Sequence, residues 1–285
     1  MNKTGHLIAE LRKKAGYTQK TLAEALHITD KAVSKWERGL SFPDVALLPK
    51  LSILLSTDIE RFLMHQGGRE EWRGLLDLNR YHVDLSERIY DKPLVYYLLS
   101  HFLLMDIREI YIRTDPENMR YLSEPVFGDF GFSFHFDLPD DPSASLMVLN
   151  RPVFVFGSDL SRIYHGIMMA GKTTKLVPDN QKENFLFCIA EDVPNYLKNA
   201  EEIYKNATPK TLGRGMVCIE ADNIEHLADI AVFVRTYQRN SGLLLASLEE
   251  IAYRKGILAE ERFQELASRS CNVDYLRKLL PVEQF

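Results

Sequence analysis

A chain of 285 residues with 46% apolar and 26% charged side chains, 15 Gly and 12 Pro is an ordinary folded protein of roughly two domains, not a disordered or collagen-like one. Its net charge of −5 hides a division: residues 1–68 hold 10 Lys/Arg against 7 Asp/Glu, net +3, and the remainder carries net −8. No run approaches the roughly 20 apolar residues of a membrane span, Met1–Lys14 is too polar for a signal peptide, and Cys188, Cys218 and Cys271 give neither a disulfide framework nor zinc spacing, so a reducing, cytoplasmic setting is expected, with no membrane, metal or cofactor.

The first 65 residues read as helices joined by short turns. Leu7, Ile8 and Leu11 share one face of a first helix that Gly16 ends. Thr18 caps a second helix to Leu26, with Leu22, Ala25 and Leu26 inward, and His27-Ile28 make a tight connection. Thr29 or Asp30 caps a third helix that Gly39 stops. Pro43-Asp44 opens a fourth, with Val45, Leu48, Leu51 and Leu55 inside, and Asp58 starts a fifth through Phe62. This five-helix, all-α domain spans 1–66, and Gly67-Gly68 mark a linker at 67–71.

From residue 72 to 285 the texture is α/β. Strands are expected at Trp72–Leu76, Glu109–Arg113, Phe132–Phe136, Leu146–Leu149, Phe185–Ile189 and Met216–Ile219. Helices are expected at Pro93–Met105, Asp159–Met169, Val193–Tyr204 and Ile224–Arg239, and again from Ser247. Strands separated by helices imply a mixed, mostly parallel sheet of Rossmann-like character.

The run Thr18-Gln19-Lys20-Thr21-Leu22-Ala23, continued by Ser34-Lys35-Trp36-Glu37-Arg38-Gly39, resembles the XRE (Cro/C1-repressor) helix-turn-helix family over about residues 5–64. The resemblance implies that the second helix crosses the backbone of a double-stranded DNA operator and that the third enters the major groove. It assigns DNA contact to Gln19, Thr29, Asp30, Lys31, Ser34 and Lys35, and a buried bracing ion pair to Arg12 and Glu37; Thr18 and Lys20 at the start of the second helix and Arg38 on the outer face of the third join the candidate contacts by their placement. The residues themselves fit: Ala23 is small at the helix crossing, and the start of the second helix offers N–H groups and a positive dipole end to phosphate. Lys31, Lys35 and Arg38 also suit a merely solvated face. Asp30 suits either an N-cap or an acceptor for cytosine N4, and Trp36 suits packing against the domain better than stacking on a base. So small a module makes few base contacts, and two copies roughly 34 Å apart are the usual remedy.

A second resemblance runs from Ile89-Tyr90-Asp91-Lys92-Pro93 through Met105-Asp106-Ile107-Arg108-Glu109 and resumes at Gly213-Arg214-Gly215, Ile219-Glu220 and Glu249-Glu250-Ile251-Ala252-Tyr253-Arg254-Lys255-Gly256. These segments are similar to the sugar-phosphate nucleotidyltransferases, glucose-1-phosphate thymidylyltransferase in particular. That family needs a Gly-rich phosphate loop after the first strand, and here Asp77-Leu78-Asn79-Arg80-Tyr81-His82-Val83-Asp84 holds no glycine. It also needs a Mg²⁺-holding aspartate in an L-G-D-N segment, where this chain reads Leu149-Asn150-Arg151-Pro152. Glu220 matches the second metal aspartate, and the segment that would read the base, Asp137 to Ser143, is short. The domain is therefore expected to hold no catalytic residues and to act as a degenerate scaffold.

Arg151, Lys175 and Glu220 are the candidate effector residues, for a nucleotide-sugar or sugar phosphate. Against this, Lys175 reads as a surface lysine and Arg151 as pairing with Asp129 or Asp159. Phe127, Phe130, Phe132, Phe134 and Phe136 alternate at strand period, as core or interface, and His82, His101, His135 and His165 read as surface or satisfied residues. The resulting expectation is a transcriptional regulator, not an enzyme, working as a homodimer or tetramer. The alternatives are an active sugar-phosphate nucleotidyltransferase with an accessory helix-turn-helix, and an antitoxin-like autorepressor acting through a protein partner.

Overall fold

Two threonines frame the N-terminal helices. The Thr18 side chain accepts from the Thr21 amide at 3.0 Å while Thr21 Oγ1 accepts from the Thr18 amide at 2.8 Å, a reciprocal box that starts α2 (Gln19–Leu26). Thr29 accepts from Ala32 and starts α3 (Asp30–Glu37); Asp30 accepts only from its neighbour Lys31, so the cap is Thr29. Between them His27 takes a left-handed turn, φ 58°, and Gly16 ends α1 (Lys3–Lys14) at φ 75°. A 3₁₀ turn, Val45–Leu47, leads into α4 (Leu48–Leu54).

The computed structural model describes residues 3–38, 40–41, 43–57, 71–138, 144–157, 159–178, 185–213 and 215–280. Gly39, the fifth helix expected at Asp58–Phe62, Gly67-Gly68, most of the segment from Asp137 to Ser143, and Arg214 lie outside them, as does the 67–71 linker except Glu71. The chain divides into two units, Met1–Glu70 and Glu71–Phe285.

Leu7, Ile8, Leu11, Leu22, Ala23, Leu26, Val33, Trp36, Leu48, Leu51 and Leu55 form the core of the first unit; Ala25 is only half-buried. Gly5 makes this core possible. A Cβ there would stand 2.3 Å from the Trp36 carbonyl oxygen, so α1 runs backbone to backbone against the end of α3.

The second unit is built on a seven-stranded sheet ordered β10-β8-β9-β6-β1-β4-β5. The strands are β1 (Trp72–Asp77), β4 (Glu109–Arg113), β5 (Ser133–His135), β6 (Ser145–Leu149), β8 (Thr174–Val177), β9 (Phe185–Cys188) and β10 (Thr208–Thr211). Four of its six pairings are parallel, and β9 runs against both its neighbours. Every residue of β6 is buried, as a central strand covered on both faces requires. One face of the sheet packs Leu75, Leu146, Val148 and Leu186 against Val193 and Tyr196. On the other, Gly74 leaves room for Phe102 of α5 (Leu94–Leu104), and Tyr164 of α8 (Leu160–Met168) lies against Phe185 and Phe187.

Further helices are α6 (Pro116–Leu122), α7 (Pro125–Asp129), α9 (Val193–Lys198), α10 (Ala200–Asn206), α11 (Ile224–Ser241), α12 (Leu248–Arg254), α13 (Glu260–Arg269) and α14 (Val273–Arg277). The helix expected at Val193–Tyr204 is two helices, because Asn199 leaves helical geometry and caps α10. Phe127 and Phe130 belong to α7 and its end, not to a strand, while Phe132 and Phe134 stack at 5.6 Å beside β5. Two small ladders were not expected: β2 (Arg88–Ile89) with β3 (Lys92–Pro93), and β7 (Val153–Phe156) with β11 (Val217–Glu220). No described helix is long and apolar enough to cross a membrane.

His101 of α5 is 2% exposed, edge-on to Phe185 at 5.0 Å, with Nδ1 3.3 Å from the Tyr164 hydroxyl. Burial pushes its pKa down to about 3. Between the unfolded value of about 6.5 and that folded one, the unfolded chain takes up a proton that the folded chain refuses. Stability therefore falls as pH falls, by about 1.4 kcal/mol per unit for this residue. Urea unfolding of the second unit at pH 7 and pH 5 should show the loss, and His101→Gln should flatten the slope. An unchanged slope would mean that His101 does not titrate this way.

Candidate functional site

Glu37, the last residue of α3, binds three segments together. Its Oε1 is 2.5 Å from Arg12 Nε and its Oε2 is 3.2 Å from Arg12 Nη2, a fork-to-fork pair with both side chains about nine-tenths buried. Arg12 Nη1 also donates to the Tyr17 carbonyl at 2.6 Å, and Gln19 Nε2 donates to Glu37 Oε2 at 2.7 Å. The expected ion pair is present. The Gln19 contact had no separate signal in the sequence, and it fixes the first side chain of α2 to the last of α3.

Val33 and Trp36 are buried, Ala32 packs partly against the core and the Glu37 carboxylate is held inside, which leaves Asp30, Lys31, Ser34 and Lys35 to the outer side of α3. Thr29, Asp30, Lys31, Lys35 and Arg38 are exposed and Ser34 is half-buried; Arg38 folds back onto the Ser34 carbonyl at 3.3 Å. Thr18 and Lys20 are exposed at the start of α2, beside half-buried Gln19. All nine residues are thus exposed or half-buried, four of them are cations, and the helix pair that carries them is tied together by the Gln19–Glu37 contact. Thr18 and Thr29 have a structural duty there as caps. Trp36, 5% exposed, is core.

The second candidate site is the carboxyl ends of β4, β1 and β6, where the strand order reverses. Its loops are bonded within themselves and to one another. Asp77 Oδ2 accepts from Arg113 Nη1 at 3.0 Å, and the Leu78 amide donates to the Arg113 carbonyl at 2.7 Å. The Tyr81, Leu85, Ser86 and Glu87 amides go to the Leu78 carbonyl, Asn118 Oδ1, Asp84 Oδ1 and the Asp84 carbonyl. Asn118 Nδ2 donates to the Val83 carbonyl at 2.7 Å, pinning the loop to α6.

Beyond β6, Arg151 Nη1 lies 2.6 Å from Glu220 Oε1. The pairing of β7 with β11 enforces this, because Glu220 stands opposite Val153 and the Ala221 amide donates to the Pro152 carbonyl at 2.7 Å. This corrects the expected partners of Arg151: Asp129 is taken by Arg262 and Asp159 by Arg162. A divalent cation does not fit, since its carboxylate is occupied by a guanidinium. Asp222, one residue past β11 and its following Ala221, is held below the usual carboxylate range by its 2.6 Å contact with His226. Lys175 stands on β8, separated from β6 by β9, and is not part of the Arg151–Glu220 pair. No group of three or more metal-ligating side chains is gathered among the described residues.

Comparison with known proteins follows the same division. The Helix-turn-helix family model matches residues 8–62. The regulator ImmR of Bacillus subtilis is 48% identical over 56 residues, covering 19% of this chain and 44% of that protein. The glucose-1-phosphate thymidylyltransferase of Neisseria meningitidis is 26% identical, covering 67% of this chain and 89% of the relative. A solved UDP-glucose pyrophosphorylase from Acinetobacter baumannii superposes with a TM-score of 0.42 at 10% identity, covering 62% of this chain and 95% of that one. The chain joins a helix-turn-helix domain to a nucleotidyltransferase-like one.

The bracket around Glu37 has a measurable cost of removal. Arg12→Ala strands a buried carboxylate and should destabilise the N-terminal unit by about 3 kcal/mol. Urea unfolding followed by fluorescence in a Trp72→Phe background, where Trp36 is the one tryptophan left, reads this, and a change within about 0.5 kcal/mol, the range of ordinary surface substitutions, would deny the pair its bracing role.

Proposed function

We propose that this protein is a cytoplasmic, sequence-specific DNA-binding transcriptional regulator. Its N-terminal domain, 1–66, reads an operator, and its body, 72–285, is a catalytically inactive nucleotidyltransferase-like scaffold that brings two or more copies together. The observation that carries this reading is the outer surface of α3: Lys31, Ser34, Lys35 and Arg38 face away from a core that holds Val33 and Trp36. Ser34 and Lys35 reach base edges in the major groove; Thr18, Gln19 and Lys20 meet phosphate at the start of α2; Thr29, Asp30 and Lys31 frame the start of the reading helix. Oligomerisation follows from the small footprint of one such module.

Inactivity of the body is supported by chemistry. At the position of the family's metal-holding aspartate stands Arg151, it is bonded to Glu220, and the Leu78, Tyr81, Leu85, Ser86 and Glu87 amides after β1 are engaged within their own segment or by Arg113 and Asn118. An effector of nucleotide-sugar or sugar-phosphate chemistry would meet Arg151 and Glu220, with Lys175 two strands away outside the contact. Its phosphate would displace Glu220 from Arg151, a charge-assisted exchange of one anion for another.

Replacing both Ser34 and Lys35 by Ala should abolish selective operator binding with the fold intact. Lys20→Ala should weaken binding to all duplexes alike and lower the salt slope by about one. Unchanged operator selectivity in the Ser34/Lys35 variant would remove α3 from the readout. Incubation with dTTP, glucose 1-phosphate and Mg²⁺ should release no pyrophosphate; release would show a working enzyme.

A further inference from the structure

Helix α11 is held to the fold by one side only. Ile230, Val234 and Gln238 are buried, and Phe233 and Tyr237 lie against Phe154 and Phe156 of β7 at centroid distances of 4.6–5.6 Å. The opposite side is exposed along its whole length, with Val232 at its centre, 65% accessible, and Ile224 at its start, 83% accessible.

The charges on that side are sorted. Glu225 and Asp229 precede Val232, whereas Arg235 and Arg239 follow it. At 3.6 residues per turn, all four share the face of Val232. Within one copy the arrangement is unfavourable: Glu225 with Asp229, and Arg235 with Arg239, are like charges four residues apart. Among the described residues none of the four joins an intrachain ion pair; His226, three residues before Asp229, is bonded to Asp222.

The numbering is symmetric about Val232. Glu225 and Arg239 stand seven residues before and after it, and Asp229 and Arg235 stand three before and after. Two such helices laid antiparallel across a two-fold axis at Val232 set Glu225 against Arg239 of the second copy and Asp229 against Arg235. They also set Ala228 against Thr236 and Val232 against its own copy, so the centre of the contact is made of small and apolar side chains. Each charge that meets its like along its own helix meets its opposite across the axis, which is the self-complementarity of an isologous interface.

We propose that the exposed side of α11 is where a second copy of this chain docks, antiparallel, with Val232 on the two-fold axis. This rests on the reading of the body as an oligomeric scaffold and names the surface that does it.

Sedimentation of the full-length protein tests it with two charge-reversed variants, R235E/R239E and E225R/D229R. All four positions are exposed, so the fold should persist. The wild type should dimerise. Each variant alone should dimerise about a hundredfold more weakly, and an equimolar mixture should recover dimers, because an all-acidic face then meets an all-basic one. Variants that dimerise like the wild type, with no gain on mixing, overturn the α11 interface while leaving the scaffold reading in place. A wild type that stays monomeric overturns both.

Discussion

One guanidinium–carboxylate contact ties the segment after β6 to the end of β11 in the C-terminal domain. Arg151 and Glu220 are brought to 2.6 Å by backbone pairing, since β7 leaves β6 and runs beside β11. With one oxygen held by a fixed cation, Glu220 makes a poor first ligand for a divalent ion. The neighbouring strand ends follow the same pattern, with Asp77 closed on Arg113. The strand ends where an open α/β sheet ordinarily receives ligands thus carry ion pairs of their own.

The N-terminal unit uses a carboxylate in the opposite sense, to hold a working surface in place. Glu37 gathers Arg12 and Gln19, and Gly5 lets α1 lie directly on the α3 backbone. Helix α3 is thereby gripped at its C-terminal end, while Lys31 and Lys35 stay exposed. A held helix presents its side chains with less ordering cost than a loose one. The buried pair therefore sets the geometry of a surface that it does not itself form.

The sequence was most legible where local chemistry and tertiary structure agree. Capping threonines, apolar spacing and the Gly16 stop placed α1 to α3 within a residue or two. Strands β1, β4, β6 and β9 announced themselves as apolar runs. Edge strand β10, Thr208–Thr211, is exposed throughout and has no apolar alternation to reveal it. Val193–Tyr204 carried an unbroken helical pattern, and only the Asn199 side chain turned it into two helices. At the candidate sites, residue types were readable but long-range partners were not. Arg151 and Glu220 are 69 positions apart, and their meeting depends on β7, a strand the pattern left unmarked.

The segment after β1 has little backbone to spare for a ligand. The Tyr81, Ser86 and Glu87 amides bond within it, the Leu78 amide goes to the Arg113 carbonyl and the Leu85 amide to Asn118, and no residue from 78 to 87 has the positive φ that a glycine turn would supply. Turning these amides toward a phosphate would break several of the bonds that order the segment, so a cradle here would have to be rebuilt as a unit and not residue by residue.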